Sequence, residues 1–384
     1  MMDKNFYASL EKKLISSKNR FILQVRDLHE LKKIFKDKTL LISGSAGSIG
    51  SQIVLDLYKY QFRPKKIYLL DKNENQLTDL NRTILLQRKK ISVEFICTDL
   101  ITFNLDNFIR DNKIQIYMNF AAAKHVRSEE NIYSIKYMLK TNSFNFLPKN
   151  KFNLERVFSV STDKTVNPTS VLGISKNLME KMLVKFSNKK KVFVSTARFA
   201  NVSFSNGSIL KYVVDKASAL EPFGVPKKVR RFFITHSEAS SLCLKALLNR
   251  NNKKIIIPNP SILEKDILIS DLTKKILFLL KVNYKFSEKK FKFNNNNKLF
   301  VYLSPSISDG QKFRETLYSS EEKIFKDEDI SIIKTDLHAS KIKFLDLKKK
   351  LFTCKNIQDL KKNLKKFFKK YKPPKRYKSV SKYL

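Results

Sequence analysis

Gly44-Ser45-Ala46-Gly47-Ser48-Ile49-Gly50 gathers three of the chain's seven glycines into seven residues. The string follows an apolar run, Thr39-Leu40-Leu41-Ile42-Ser43, and leads into Ile49, Ile53, Leu55 and Leu57, whose spacing suits a helix. A strand that turns through glycines into a helix presents free backbone N–H groups at the helix N-terminus, and these attract phosphate. Gly44 permits the tight turn. Gly47 lets a pyrophosphate approach the N–H groups around Ser48 and Ile49, and Gly50 allows close helix–strand contact. Asp71 lies 21 residues beyond Gly50, where a carboxylate accepts from the hydroxyls of an adenosine ribose. A 2′-phosphate would meet a like charge there, which favours NAD over NADP. The adjacent Lys72 can pair with that phosphate and leaves the choice open.

Six strands are expected to position these residues, near 39–43, 66–70, 93–97, 114–120, 156–160 and 192–196, with helical segments between them. Strand–helix alternation of this kind implies right-handed βαβ units and an α/β fold, a Rossmann-like doubly wound parallel sheet. In such sheets ligands sit at the carboxyl ends of the strands. Asp71, Asp99, Ala121 to Ala123 and Ser161 to Lys164 all fall just after strands.

Four segments follow from composition. Residues 1–37 read as a helical lead-in with an apolar stripe of Leu10, Leu14, Ile22, Leu28, Leu31 and Ile34. Residues 38–198 form the dinucleotide-binding domain. Residues 199–340 form a smaller substrate-binding lobe that returns at intervals to the main sheet, with a helix near 237–248 and a polar loop at Asn294 to Asn297. Residues 341–384 form a basic helical tail, in which Leu360, Leu364, Phe367, Phe368 and Tyr371 keep helical spacing and pack back on the body.

The 384 residues carry 77 Lys+Arg against 35 Asp+Glu, a net charge of +42. The excess is spread along a chain rich in Lys, Asn, Ile and Phe, as a coding bias would spread it, so no nucleic-acid partner is expected. The tail helix alone is a candidate for membrane-surface or polyphosphate contact. No apolar run approaches the ~20 residues of a membrane span. The opening lacks a secretory h-region, so a soluble cytoplasmic protein is expected. Three distant cysteines, Cys97, Cys243 and Cys354, exclude a disulfide scaffold and a Cys-rich metal site and read as core fillers; no metal is expected.

GSAGSIG, AAAKHV, STDKTVNPTSVLGISK and RFANVSFSNGS together resemble the extended short-chain dehydrogenase/reductase superfamily, over roughly residues 38–320. Within it the chain is similar to polysaccharide-biosynthesis UDP-N-acetylglucosamine 4,6-dehydratases. The resemblance implies a tightly bound NAD or NADP regenerated at each turnover, a UDP-sugar substrate and assembly into homo-oligomers. It implies a lyase reaction: transient oxidation at C4, loss of water across C5/C6 and return of hydride to C6. It places Asp99 and Leu100 at the adenine and Ala121 and Ala122 along the cofactor. Lys124 stands at the mouth of the site, and Asn201, Ser208 and Arg231 near the nucleotide diphosphate. Thr162 matches a residue bonding the sugar 4-hydroxyl, Asp163 and Lys164 an acid/base pair, and Lys176, thirteen residues after Asp163, the lysine that holds the nicotinamide ribose. Gly310-Gln311-Lys312 resembles a late Gly-Glu-Lys element.

One departure stands out. Most of the superfamily carries tyrosine four residues before the lysine, as the base for hydroxyl oxidation; position 172 here is Leu172. The sugar chemistry still needs at least two titratable groups. Lys164 as base and Asp163 as acid are the candidates, provided the two adjacent side chains diverge and cationic surroundings depress Lys164. The bland alternatives are a helix cap or an Asx-turn for Asp163, a solvated Lys176, polar packing for His125 and His236, and a structural ion pair for Arg198. Two other functions fit the same fold: a nucleotide-sugar epimerase, or a catalytically inactive dinucleotide-fold binding protein.

Overall fold

The computed structural model describes residues 4–87, 91–125, 129–263, 266–289, 298–304, 312–334, 343–368 and 371. Gly310, Gln311, the Asn294–Asn297 tract, His338 and the tail from residue 372 onward lie outside the described residues.

The expected strands form. β1 (Thr39–Ser43), β2 (Lys66–Asp71), β3 (Val93–Cys97), β4 (Ile116–Asn119), β5 (Arg156–Ser159) and β6 (Phe193–Ala197) lie parallel in the order 3-2-1-4-5-6. A seventh parallel strand, Lys254–Pro258, pairs with β6, and the antiparallel strands Ile330–Lys334 and Ile324–Asp327 close that edge. The segment after residue 199 therefore does return to the main sheet. β1, β4 and β5 are buried almost throughout and covered on both faces, as parallel strands flanked by helices must be. The order reverses between β1 and β4, which opens a crevice at their carboxyl ends.

A second core is built from the Ile209–Ser218 and Ile269–Leu279 helices and a parallel sheet of Tyr284–Ser287, Leu299–Ser304 and Phe223–Pro226. The lead-in differs from one continuous stripe. Helices Lys4–Leu14 and Val25–Phe35 are separated by an extended segment in which Phe21 and Leu23 turn inward, so Ile22 faces solvent. Leu10 joins the smaller core, while Leu31 and Ile34 join the main one.

The C-terminal helices Phe344–Thr353 and Ile357–Phe367 pack back on the body. Leu347, Leu351, Leu360, Leu364, Phe368 and Tyr371 share one core with Ile135, Met138, Leu139, Val171, Leu172 and Ile174. Lys136 fastens the pair by donating to the carbonyls of Phe352 (3.0 Å) and Cys354 (2.8 Å). Cys243 and Cys354 are buried, but Cys97 at the end of β3 is exposed, which corrects the reading of all three as core fillers. Among the described residues no helix is long and apolar enough to cross a membrane.

Candidate active site

The crevice begins at β1. Gly44 has φ +69°, and a Cβ there would lie 2.4 Å from the backbone nitrogen of Ala121, so the segments leaving β1 and β4 touch only because position 44 has no side chain. Gly47 precedes the Ser48–Lys59 helix and Gly50 sits in its first turn against the Gly44 carbonyl. A Cβ at position 44 or 50 would collide with the neighbouring backbone and force this turn open. The open helix N-terminus suits a dinucleotide's pyrophosphate, and the residues present fit that group. Asp71 braces the loop, accepting from the N–H groups of Ala46 (3.1 Å) and Asn73 (3.0 Å).

Below the crevice a buried polar ladder crosses the sheet. Ser43 donates to Asn119 Oδ1 (2.7 Å), and Asn119 donates to Ser159 Oγ (3.0 Å). The Ala121–Ala123 segment runs above it. A π-helical turn, Lys140–Phe144, presents Asn142, whose amide bonds both backbone groups of Ala123 and donates to Ser175 Oγ. Asn142 thereby ties the segment after β4 to the helix that carries Lys176.

After β5 the chain enters a tight turn, Asp163–Thr165, preceded by Thr162, whose side chain makes no capping bond. Thr162 Oγ1 and Lys164 Nζ both donate to Asp163 Oδ1 at 2.9 Å, and Lys164 also reaches Asn201 Oδ1 at 3.4 Å. Asp163 is buried, and its carboxylate serves this cluster instead of an Asx-turn. The side chains of 163 and 164 thus converge as an ion pair; they do not diverge. The turn presses on the Val171–Lys190 helix at Gly173, where a Cβ would lie 2.2 Å from the Lys164 carbonyl oxygen.

One turn along that helix, Lys176 is buried with its ammonium on the Val160 carbonyl (3.0 Å) and near Met179 Sδ (3.9 Å). Burial pulls its pKa down to about 8, against the opposing charge of Glu180. Glu180 is held by Arg198, which also grips Glu322, and it accepts from Ser161. Arg198 is therefore a structural ion-pair partner beneath the loop that follows β5. Lys124 is exposed, and partial loss of solvation lowers its pKa.

The smaller lobe meets this crevice at one turn. Asn206 N–H donates to Ser48 Oγ (3.0 Å), and the His125 ring lies over Gly207. Ser208 caps the Ile209–Ser218 helix by accepting from Lys211 N–H. Arg231 is buried and turned elsewhere, donating to the carbonyls of Arg230, Lys312 and Phe313. His236 bonds Glu11 (2.8 Å), a packing role. Asp99 and Leu100 follow β3. Asp99 accepts from Ile101 N–H (2.9 Å) and Tyr137 Oη (2.7 Å), and Leu100 is buried.

Leu172 lies outside the cluster, buried under the C-terminal helices. Glu129, which sequence reasoning missed, is fully buried and accepts from the first N–H groups of the same helix, Val171 (2.9 Å) and Leu172 (3.0 Å). No local pattern marks that carboxylate. Among the described residues, no group of three or more His, Cys, Asp or Glu side chains is placed to hold a metal.

The sequence profile of a family described as polysaccharide biosynthesis protein matches residues 40–335. An uncharacterized membrane protein of Methanocaldococcus jannaschii is 33% identical over 62% of this chain and 72% of its own length. The capsular polysaccharide biosynthesis protein CapD of Staphylococcus aureus is 27% identical over 66% of this chain, but only 42% of its own length is spanned. A UDP-glucose 4-epimerase of Rickettsia bellii is 27% identical over 56% of this chain and 63% of its own. Among solved structures, Pen from Bacillus thuringiensis aligns with a TM-score of 0.65 at 20% identity, covering 79% of this chain and 88% of that one. Two others align less closely. Bordetella bronchiseptica WbmF in complex with NAD+ and UDP gives 0.51 at 15% identity, over 66% and 80% of the two chains. Streptomyces venezuelae DesIV, a dTDP-glucose 4,6-dehydratase with NAD bound, gives 0.50 at 17% identity, over 69% and 88%.

Proposed function

From the premise that the chain belongs to the polysaccharide biosynthesis protein family, we propose that it is a NAD-dependent nucleotide-sugar 4,6-dehydratase whose substrate is UDP-N-acetylglucosamine. The observation that carries this reading is the convergence of Thr162, Asp163, Lys164 and Asn201 on one turn at the carboxyl end of β5. An acid/base pair beside the crevice is what elimination of water demands and simple inversion does not. The structural likeness to WbmF, crystallised with NAD+ and UDP, and to DesIV, crystallised with NAD, supports the choice of cofactor, and WbmF alone that of the nucleotide.

Gly44, Gly47, Ser48, Ile49 and Gly50 would hold the dinucleotide's pyrophosphate, Asp71, Asp99 and Leu100 its adenosine, and Ala121, Ala122 and Lys176 its nicotinamide end. The chemistry that cofactor supplies when bound is a reversible hydride acceptor. Protons are the protein's task. The Thr162 hydroxyl, already donating to Asp163, takes up the proton of the sugar 4-hydroxyl as it passes its own to the carboxylate. Asp163 then protonates the departing 6-hydroxyl, which leaves as water. Lys164, without its anionic partner while Asp163 is neutral, gives its ammonium proton to solvent, removes the C5 proton as the free amine and later returns it to C5, taking a proton from solvent again once Asp163 is a carboxylate. This relay leaves position 172 no part in the reaction. Lys124 and the N-terminus of the helix capped by Ser208 face the sugar diphosphate. Arg231 braces the 312–313 segment beside it.

Incubation with UDP-N-acetylglucosamine and NAD+ is expected to give a product lighter by one water. Asp163→Asn and Lys164→Met should each slow that conversion at least ~100-fold. A product of unchanged mass would favour an epimerase, the activity named for the Rickettsia relative.

A further inference from the structure

The end of β2 carries the residues that decide which dinucleotide such a fold accepts. A carboxylate here receives ribose hydroxyls, and a nearby cation accommodates a 2′-phosphate when one is present. Asp71 is the carboxylate, and Glu74 adds a second negative charge one turn away. Between residues 71 and 80 the single basic residue is Lys72. On sequence grounds it is the phosphate's natural partner.

Its side chain is engaged elsewhere. Lys72 Nζ donates to Tyr137 Oη (2.8 Å) and lies 4.9 Å from the centre of that ring. Tyr137 Oη in turn donates to Asp99 Oδ2 (2.7 Å), and Asp99 is fixed at its other oxygen by Ile101 N–H. The chain of contacts links the ends of β2 and β3 to the Ile132–Leu139 helix that follows β4. The hydrogen bond to Tyr137, followed by the charges of Asp99 and Asp71, raises the Lys72 pKa, so the ammonium keeps its proton and its internal partners. Asp71 meanwhile turns both oxygens to backbone N–H groups and stays in place at the strand end.

We propose that Tyr137 is a specificity-determining residue for the dinucleotide: by tethering Lys72 to Asp99 it withholds the cation that follows Asp71 in the chain from a 2′-phosphate, and so selects NAD over NADP. This deepens the proposed function and rests on its claim that the crevice binds a nicotinamide dinucleotide. The device is indirect. Selection comes from an anchor on another helix, on a ring whose hydroxyl can be removed without removing its bulk.

The test is equilibrium binding of NADH and NADPH to the purified, nucleotide-stripped protein, read by nicotinamide fluorescence, which a chain without tryptophan leaves unobscured. The wild type should bind NADH about tenfold tighter than NADPH, the size of one charge-level discrimination. Tyr137→Phe should strengthen NADPH about three- to fivefold, the scale of a partly exposed ion pair, and leave NADH within twofold. Lys72→Met alone should change neither affinity, and Tyr137→Phe/Lys72→Met should lose the gain. A wild type that binds neither nucleotide overturns the dinucleotide reading itself. A wild type that binds NADH but shows no gain in Tyr137→Phe, keeps the gain without Lys72, or loses NADPH affinity in Lys72→Met overturns this inference alone.

Discussion

Lys176 and Lys245 are both buried, in opposite ways. Lys245, behind the sheet, meets two carboxylates: Asp329 at 2.6 Å and Asp27 at 3.7 Å. Lys176, beneath the crevice, has a carbonyl, a thioether and an acid one turn away that already belongs to Arg198. A buried charge with matched counter-charges serves cohesion. One left short of them is held ready for a ligand or a proton, at some cost in stability. The contrast separates the scaffold of this protein from its chemistry.

The largest effect should come from the scaffold. Lys245→Met strands Asp329 without its ammonium and leaves Asp27 to Arg250 (3.2 Å) and Arg26 (3.9 Å), and should lower unfolding free energy by about 3–5 kcal/mol in denaturant titrations. Lys176→Met should leave stability at pH 7 unchanged or higher while reducing turnover about 100-fold or more. If both variants lost the same stability, the distinction between the two lysines would fail.

Next comes pH. An unfolded lysine keeps its proton to about 10.5, whereas folded Lys176 releases it near 8. Between those values the unfolded chain binds the extra proton, so stability attributable to Lys176 rises as pH increases from about 8 to 10.5, by about 3 kcal/mol in total. The difference in unfolding free energy between wild type and Lys176→Met over that range measures it. A flat difference would mean that Lys176 is solvated.

The smallest effect concerns Leu172. Tyrosine placed there must enter the core formed with Leu351, Leu360 and Phe368, so Leu172→Tyr should cost about 1–3 kcal/mol by overpacking and should not raise turnover. A gain in rate would return position 172 to the reaction centre.

Sequence made the sheet plain because each strand carries its own signal. Segments 39–43 and 93–97 match β1 and β3 residue for residue, and the glycine loop stands out in a chain with so few glycines. The strand pattern alone places Thr162, Asp163 and Lys164 at a strand end, but their roles and the part of Asn201 are legible only through a resemblance, since nothing local brings residue 201 to residue 164. What surrounds Leu172 was beyond reach for the same reason: its covering comes from residues 347–371. Glu129 and Tyr137 act through contacts with remote elements, and a lone carboxylate or tyrosine carries no periodic pattern. Ile22 misled because an apolar residue in an extended link looks like part of a helical stripe until Phe21 and Leu23 are seen to take the inward positions.

The central claim, elimination of water driven from the turn at Thr162 to Lys164, is tested most directly with UDP-N-acetylglucosamine deuterated at C4. The account predicts a product one water lighter that carries the deuterium at C6. An equal-mass isomer, or deuterium released to solvent, would contradict it.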